Sequence, residues 1–253
     1  MNPALSDISD FIDALLNIGN VADSANALNG LQLANEGLVA KIGAAVDAGE
    51  PTLRMAAAAG VDLLIVHHGL FWTGLQPLTG AAYRKVAMAM RANMAIYSAH
   101  LPLDVHPKFG NNILLAKALG LGMTEPFFHG DHGQWLGLRA EVSMPVEKLM
   151  AEMEKAVAGP VKVFKGGPER VASVGIVTGG AGGDIHKAAM EGVDTFITGE
   201  APHWAAIAAE ELGVNLILGG HYATETFGVK ALAEHVAGKL GLPWQFIDYP
   251  TGL

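Results

Sequence analysis

One stretch restricts the folding of this chain more than any other: Val61-Asp62-Leu63-Leu64-Ile65-Val66-His67-His68-Gly69. A short unbroken apolar run rich in branched side chains, ended by polar residues and a glycine, reads as a buried parallel strand. What it delivers at its carboxyl end is a histidine doublet. Neighbouring side chains on extended backbone point to opposite sides, so His67 and His68 do not easily share one ion unless a turn intervenes. Two ions roughly 3.5 Å apart would take one imidazole each. A pair of hydrogen-bonded structural histidines is the other reading of this stretch by itself.

The surroundings fit such a strand. Ser6 or Ser9 can cap a first helix whose apolar stripe is Ile8, Phe11, Ile12, Leu15 and Leu16. A turn at Asn29-Gly30 precedes a strand at about 38–46, a helix from about 51 to 59 led by Pro51, and the strand at 62–66. A helix at about 80–92 and a strand at 94–98 complete the series. Alternation of strand and helix predicts an α/β unit with a mostly parallel sheet. Pro126, Gly130, Gly133 and Gly137 then break the rhythm and open a second lobe. There a strand at 136–142, a helix at 145–157 and strands at 161–164 and 171–177 are expected. The division expected is 1–126 with 226–253 as the first lobe and 127–225 as the second.

The chain also repeats itself. Laying Gly43 on Gly175 without a gap brings Gly60-Val61-Asp62 onto Gly192-Val193-Asp194, Ile65 onto Ile197 and Trp72 onto Trp204. A second match places His100-Leu-Pro-Leu-Asp104 on His221-Tyr-Ala-Thr-Glu225, each after a short apolar strand. Two stretches in agreement indicate an internal duplication. The fold class expected is α/β: two pseudo-duplicated lobes with mostly parallel or mixed sheets, and a metal site at strand carboxyl ends between them.

Composition narrows the chemistry. With 253 residues, 51% hydrophobic and 16% charged, the chain can bury a substantial core. A net charge of −9 argues against nucleic acid and anionic membranes as partners. The absence of cysteine excludes disulfides, thiolate zinc sites and cysteine nucleophiles, which leaves histidine, carboxylate and water for any metal. Asp7, Asp10 and Asp13 stand where a signal peptide would be positive, and no run of about eighteen apolar residues occurs, so a cytoplasmic location is expected.

Active sites of open α/β sheets gather beyond the carboxyl ends of strands, where His67, His68, His100, Asp104, His221 and Glu225 all fall. Pro102 argues for a loop over 100–104, and Gly219-Gly220 are expected to bring His221 out of its strand before a final helix at about 225–240. Two dications close together need negative charge between them, and Glu225 is the candidate bridge. One ion would take His67, His221 and Glu225, or the same set with His68 exchanged. The other would take the remaining doublet histidine, Asp104 and Glu225. Imidazole and carboxylate suit zinc, iron, manganese, cobalt or nickel alike. His100 is a ligand or a supporting partner.

Other groups carry two readings each. Glu200 and His203 occupy in the later half the place of the doublet and are candidates for proton transfer, against a loop or interface role. Gly179 to Asp184 lacks the spacing of a phosphate-binding motif and reads as a tight turn. His129, His132 and Trp135 line a cleft mouth or belong to a connector. His106, His186 and His235 read as surface or packing residues.

Taken together, Asn29-Gly-Leu-Gln, His67-His-Gly-Leu-Phe-Trp, His100-Leu-Pro-Leu-Asp104 with Gly110-Asn-Asn, Thr198-Gly-Glu and Gly220-His-Tyr-Ala-Thr-Glu225 resemble the NIF-three-like (YbgI-like) family. Its members are often labelled GTP cyclohydrolase 1 type 2 homologues. The resemblance runs from about residue 29 to 228. It implies a two-lobed α/β protein with a dinuclear metal centre, assembled as a toroidal homohexamer. It also implies metal positions at His67, His68, Asp104, His221 and Glu225, with His100 nearby.

The expected function is a metal-dependent hydrolase of a small polar substrate, nucleotide- or pterin-like, that uses a hydroxide bridging two divalent ions. Glu225, Glu200 and His203 are the candidate catalytic groups. For ring opening of GTP the electrophile would be C8 of guanine. A metal-binding or regulatory oligomer without catalysis is the rival reading.

Overall fold

The computed structural model describes residues 2–74, 76–130 and 133–253, and in it the repeat is written in the backbone as well as in the letters. The chain runs α1 (Leu5–Leu16), β1 (Gly30–Leu33), β2 (Ile42–Asp47), α2 (Glu50–Ala58), β3 (Leu63–His68), α3 (Gly80–Arg91) and β4 (Ala95–Ser98). After the one-turn α4 (Leu101–Asp104) come α5 (Asn111–Ala118), β5 (Glu125–His129), β6 (Trp135–Pro145), α6 (Val146–Val157), β7 (Lys162–Lys165) and β8 (Arg170–Ile176). It finishes with α7 (Ile185–Met190), β9 (Thr195–Thr198), α8 (His203–Leu212), β10 (Asn215–Leu218), α9 (His221–Leu240) and β11 (Trp244–Phe246).

Two units divide these elements, Met1–Leu103 with Gly228–Tyr249, and Asp104–Phe227 with Pro250–Leu253. The first is built on a five-stranded sheet of order β1-β4-β3-β2-β11. All its neighbours are parallel except β1, which lies antiparallel to β4 at one edge. Leu63 to Val66 are fully buried, as the apolar run requires. Leu64, Val66 and Ile96 pack with Leu53 and Ala56 of α2 and Ala89 of α3. Each of the Leu, Val and Ile side chains contributes about 1.5–3 kcal/mol by leaving water. Pro51 sits in the first turn of α2, where its missing N–H costs nothing.

The second unit is built on a six-stranded mixed sheet of order β5-β6-β8-β9-β10-β7, in which β8, β9 and β10 are parallel. Alternation along its strands feeds two cores. Phe196 and Leu216 pack with Ile185 of α7 and Ala205 of α8, while their neighbours Ile197 and Ile217 pack with Leu115 of α5 and Leu149 of α6. Helices therefore cover both faces of this sheet.

The duplication holds in register. Laying Gly43 on Gly175 carries the pair Ile42↔Leu63 onto Val174↔Thr195 and Gly43↔Leu64 onto Gly175↔Phe196. Asp62 accepts hydrogen bonds from the backbone N–H groups of Ala40 (2.8 Å) and Lys41 (3.0 Å), and Asp194 does the same for Ala172 (2.8 Å) and Ser173 (3.2 Å). The third strands correspond as well, Val66↔Ser98 matching Thr198↔Leu218. By that register His100 falls on Gly220, one residue before His221.

Four expectations change. The strand expected to stop at residue 66 runs on through the histidine doublet, because His68 still pairs with Asp47. Residues 101–104 form a helical turn, since Pro102 falls in the first turn where proline is tolerated. The last helix begins at His221 and not near 225, as Gly220, at φ +90°, makes the bend that lets Thr224 N–H reach Gly220 O at 3.0 Å. The units part at 103/104, earlier than the expected 126/127, because Leu115 and Ala116 of α5 join the second unit's core. The reading of 179–184 as a tight turn stands: a 3-10 turn covers Ala181–Asp184. Among the described residues no helix is long and apolar enough to cross a membrane.

Candidate metal centre

In the first unit three imidazoles meet at the carboxyl ends of β3 and β4. His67 is fully buried and its Nδ1–H donates to Ala99 O at 2.8 Å. His68 donates through Nδ1 to Asp47 Oδ1 at 2.9 Å, Asp47 being the last residue of the neighbouring β2. His100 donates through Nδ1 to Asp23 Oδ1 at 2.9 Å. Asp23 is itself held by Asn29 Nδ2 (2.8 Å) and Leu101 N–H (3.0 Å), while Asn29 Oδ1 accepts from His100 N–H at 2.7 Å. The rings of His67 and His68 lie 4.9 Å apart, as do those of His67 and His100, and one nitrogen from each of the three lies within 4.8 Å of the others.

A carbonyl or carboxylate oxygen can only accept, so each of these Nδ1 atoms carries the ring proton and each Nε2 carries the lone pair. Burial works against the charge of Asp23, yet its bonds to His100, Asn29 and Leu101 prevail and hold the carboxyl below its ordinary range. The carboxylate is thereby kept as an acceptor.

In the second unit the opening turn of α9 presents His221 and Glu225 on one face, with His221 Nε2 3.1 Å from Glu225 Oε2. Glu200, on the loop after β9, accepts from His221 Nδ1 at 2.9 Å. Gly179, at φ +74°, lets the backbone pass beside Glu225: a Cβ there would clash with Glu225 Oε1. Gly179 N–H donates to Thr224 Oγ1 at 3.1 Å, which ties that loop to α9. Burial opposes a charge on His221, but Glu225 and Glu200 outweigh it and raise its pKa to about 9. Asp104 is buried, and its Oδ1 accepts from Asn111 Nδ2 at 2.7 Å.

The expected residues thus fall into two sets, His67, His68 and His100 in one unit and His221, Glu225 and Glu200 in the other, with Asp104 held by Asn111. His203 opens α8 as an exposed residue and belongs to neither set. His129 is exposed, and His132 lies outside the described residues. Sequence reasoning missed Asp47, Asp23 and the Ala99 carbonyl behind the imidazoles. A signal for Asp47 existed, an acid ending the strand next to the doublet.

Residues 3–251 match the sequence profile of the Duf34/NIF3 (NGG1p interacting factor 3) family. The chain belongs to the NIF3 family. It is 40% identical over 244 residues to the GTP cyclohydrolase 1 type 2 homolog of Deinococcus radiodurans, a match covering 94% of this chain and 90% of that one. Among solved structures, TTHA1606 from Thermus thermophilus is similar with a TM-score of 0.90 and 39% identity, both chains covered in full. The protein ybgI is similar with a TM-score of 0.90 and 33% identity, again over both full chains. For this NIF3 chain the clustered histidines and carboxylates fit a metal ion. Imidazole and carboxylate are metal ligands, and acceptors already stand behind the rings of His67, His68 and His100.

Proposed function

We propose that this chain holds two divalent metal ions and hydrolyses a small polar substrate with them. One observation carries the reading: His67, His68 and His100 each turn Nδ1 to a carbonyl or carboxylate, which leaves Nε2 as the ligating atom in all three. That is the tautomer a metal ligand needs, and the acceptor behind the ring raises its basicity and fixes its plane. In the proposed assignment His67, or His68 in its place, joins His221 and Glu225 around one ion. The remaining doublet histidine joins Asp104 and Glu225 around the other, with His100 beside them.

When bound, such ions would supply Lewis acidity and lower the pKa of a water. The chain's own residues do the rest. Glu225, buried at Gly179, brings the negative charge that two cations require. Glu200 orients His221, a positioning role in place of the proton transfer expected for it. The name carried by curated relatives, GTP cyclohydrolase 1 type 2 homolog, makes a purine nucleotide the first substrate to assay.

Metal-reconstituted and chelator-stripped protein should be compared on GTP, phosphoesters and cyclic amides. Turnover that follows metal content and falls about a hundredfold or more in Glu225→Gln is the expected result. Metal bound in full with no turnover on any of them would favour a storage or regulatory role.

A further inference from the structure

Trp72 lies against the imidazoles of the first unit. Its indole meets the His100 ring at 68°, centroids 4.6 Å apart, and the His68 ring at 5.3 Å, yet the residue is 40% exposed. A single exposed tryptophan on a protein surface needs no explanation. This one borders the candidate metal ligands, and the loop that carries it is tied down.

Both ends of that loop are fixed. Gln32 Oε1 accepts from Leu70 N–H at 2.7 Å, while Gln32 Nε2 donates to the carbonyls of Ala27 and Leu28, each at 3.0 Å. Gly69 has no room for a side chain, since a Cβ there would overlap the Gln32 amide. Beyond the indole, Gly74 N–H donates to Phe71 O at 2.8 Å and closes the turn. The segment that supplies Gln32 also supplies Asp23 and Asn29, which hold His100. One stretch of chain therefore sets the imidazole and the indole together. An aromatic side chain already fixed in place loses little freedom on binding, and it gains by covering its apolar surface with another flat ring.

We propose that Trp72 is the stacking surface for a planar aromatic ring of the substrate, and that it favours ligands whose ring adjoins the group that reaches the metal. As a selector among metal-bound ligands it rests on the reading above, because the ion would sit at the adjoining imidazoles. As a stacking surface it stands without that reading.

Two hydroxamates test the selection by calorimetry on zinc-loaded, full-length protein. Benzohydroxamate and cyclohexanecarbohydroxamate present the same metal-binding group, one on a flat ring and the other on a puckered one. Benzohydroxamate is expected to bind about threefold or more tightly. Trp72→Ala should weaken it by about fivefold or more and remove the preference, whereas Trp72→Phe keeps the preference. Both variants should keep their zinc, because an indole is not a ligand. A second measurement needs no metal. In chelator-treated protein carrying a fluorinated tryptophan at its four tryptophan positions, the Trp72 fluorine resonance, identified by its loss in Trp72→Phe, should shift with millimolar adenosine and not with ribose. Thermal melts check folding, and if Trp72→Ala does not fold, the fluorine measurement decides. Equal affinity for the two hydroxamates, a preference that survives Trp72→Ala, zinc lost from that variant, or an adenosine shift absent or confined to the other tryptophans would overturn the proposal. If zinc or both hydroxamates fail to bind, that counts only against the metal centre, and the adenosine shift decides for Trp72.

Discussion

Asp47 shows how much of this site lies behind the groups that first attract notice. Removing a carboxylate behind a metal-binding imidazole lowers affinity by about 10–100-fold. Asp47→Ala should therefore weaken metal binding by about that factor, read by competition with a chromophoric chelator, and leave the thermal midpoint nearly unchanged because Asp47 is only partly buried. Unchanged affinity would detach Asp47 from the site. Gly179→Ala works on the other set. A side chain at φ +74° is strained by about 1–3 kcal/mol even without its clash on Glu225 Oε1. Denaturant unfolding should show a loss of that order, together with lost metal, and a variant that keeps both would contradict the close approach. His221 supplies a pH signature of the metal-free protein. Its folded pKa is raised to about 9, so its contribution to stability is complete below the unfolded value near 6.5 and is lost as pH rises through about 9. Chemical melts from pH 6 to 10 should show that loss in the stripped protein and not in His221→Gln. The histidines were legible because no cysteine competes with them and strands deliver them. Their supporting acids were harder to find, because His68 and Asp47 are 21 residues apart and His100 and Asp23 are 77 apart, and only Asp47, an acid ending the strand next to the doublet, carried a signal.

At the scale of elements, β3 was readable because Leu63 to Val66 is an unbroken apolar run, which only a doubly covered sheet can bury. The one-turn α4 and the early start of α9 were not readable. Pro102 breaks a helix or starts one according to its place in the first turn, and Gly219-Gly220 reads equally as a loop. Strands β1, β5 and β11 escaped notice for a related reason, being edge or short strands whose pattern depends on the neighbour they find. The duplication makes a sharper claim. Asp62 and Asp194 each satisfy two backbone N–H groups at the start of an adjacent strand, so Asp62→Ala and Asp194→Ala should each cost about 1–3 kcal/mol in equilibrium unfolding. A large cost at one position and none at the other would show that the copies no longer share this device.

For the molecule as a whole, the net charge is −9 and each unit has its own apolar core. Membership of the NIF3 family accounts for the motif order, whereas the chemistry rests on whether the two sets of donors serve the same ions. Diffraction from crystals of metal-reconstituted protein, collected on both sides of the metal's absorption edge, tests this most directly. The expected result is two anomalous peaks per chain about 2.0–2.2 Å from Nε2 of His67, His68 and His221, with Glu225 touching both. Peaks found only at exposed histidines such as His203 or His129, or none at all, would contradict it.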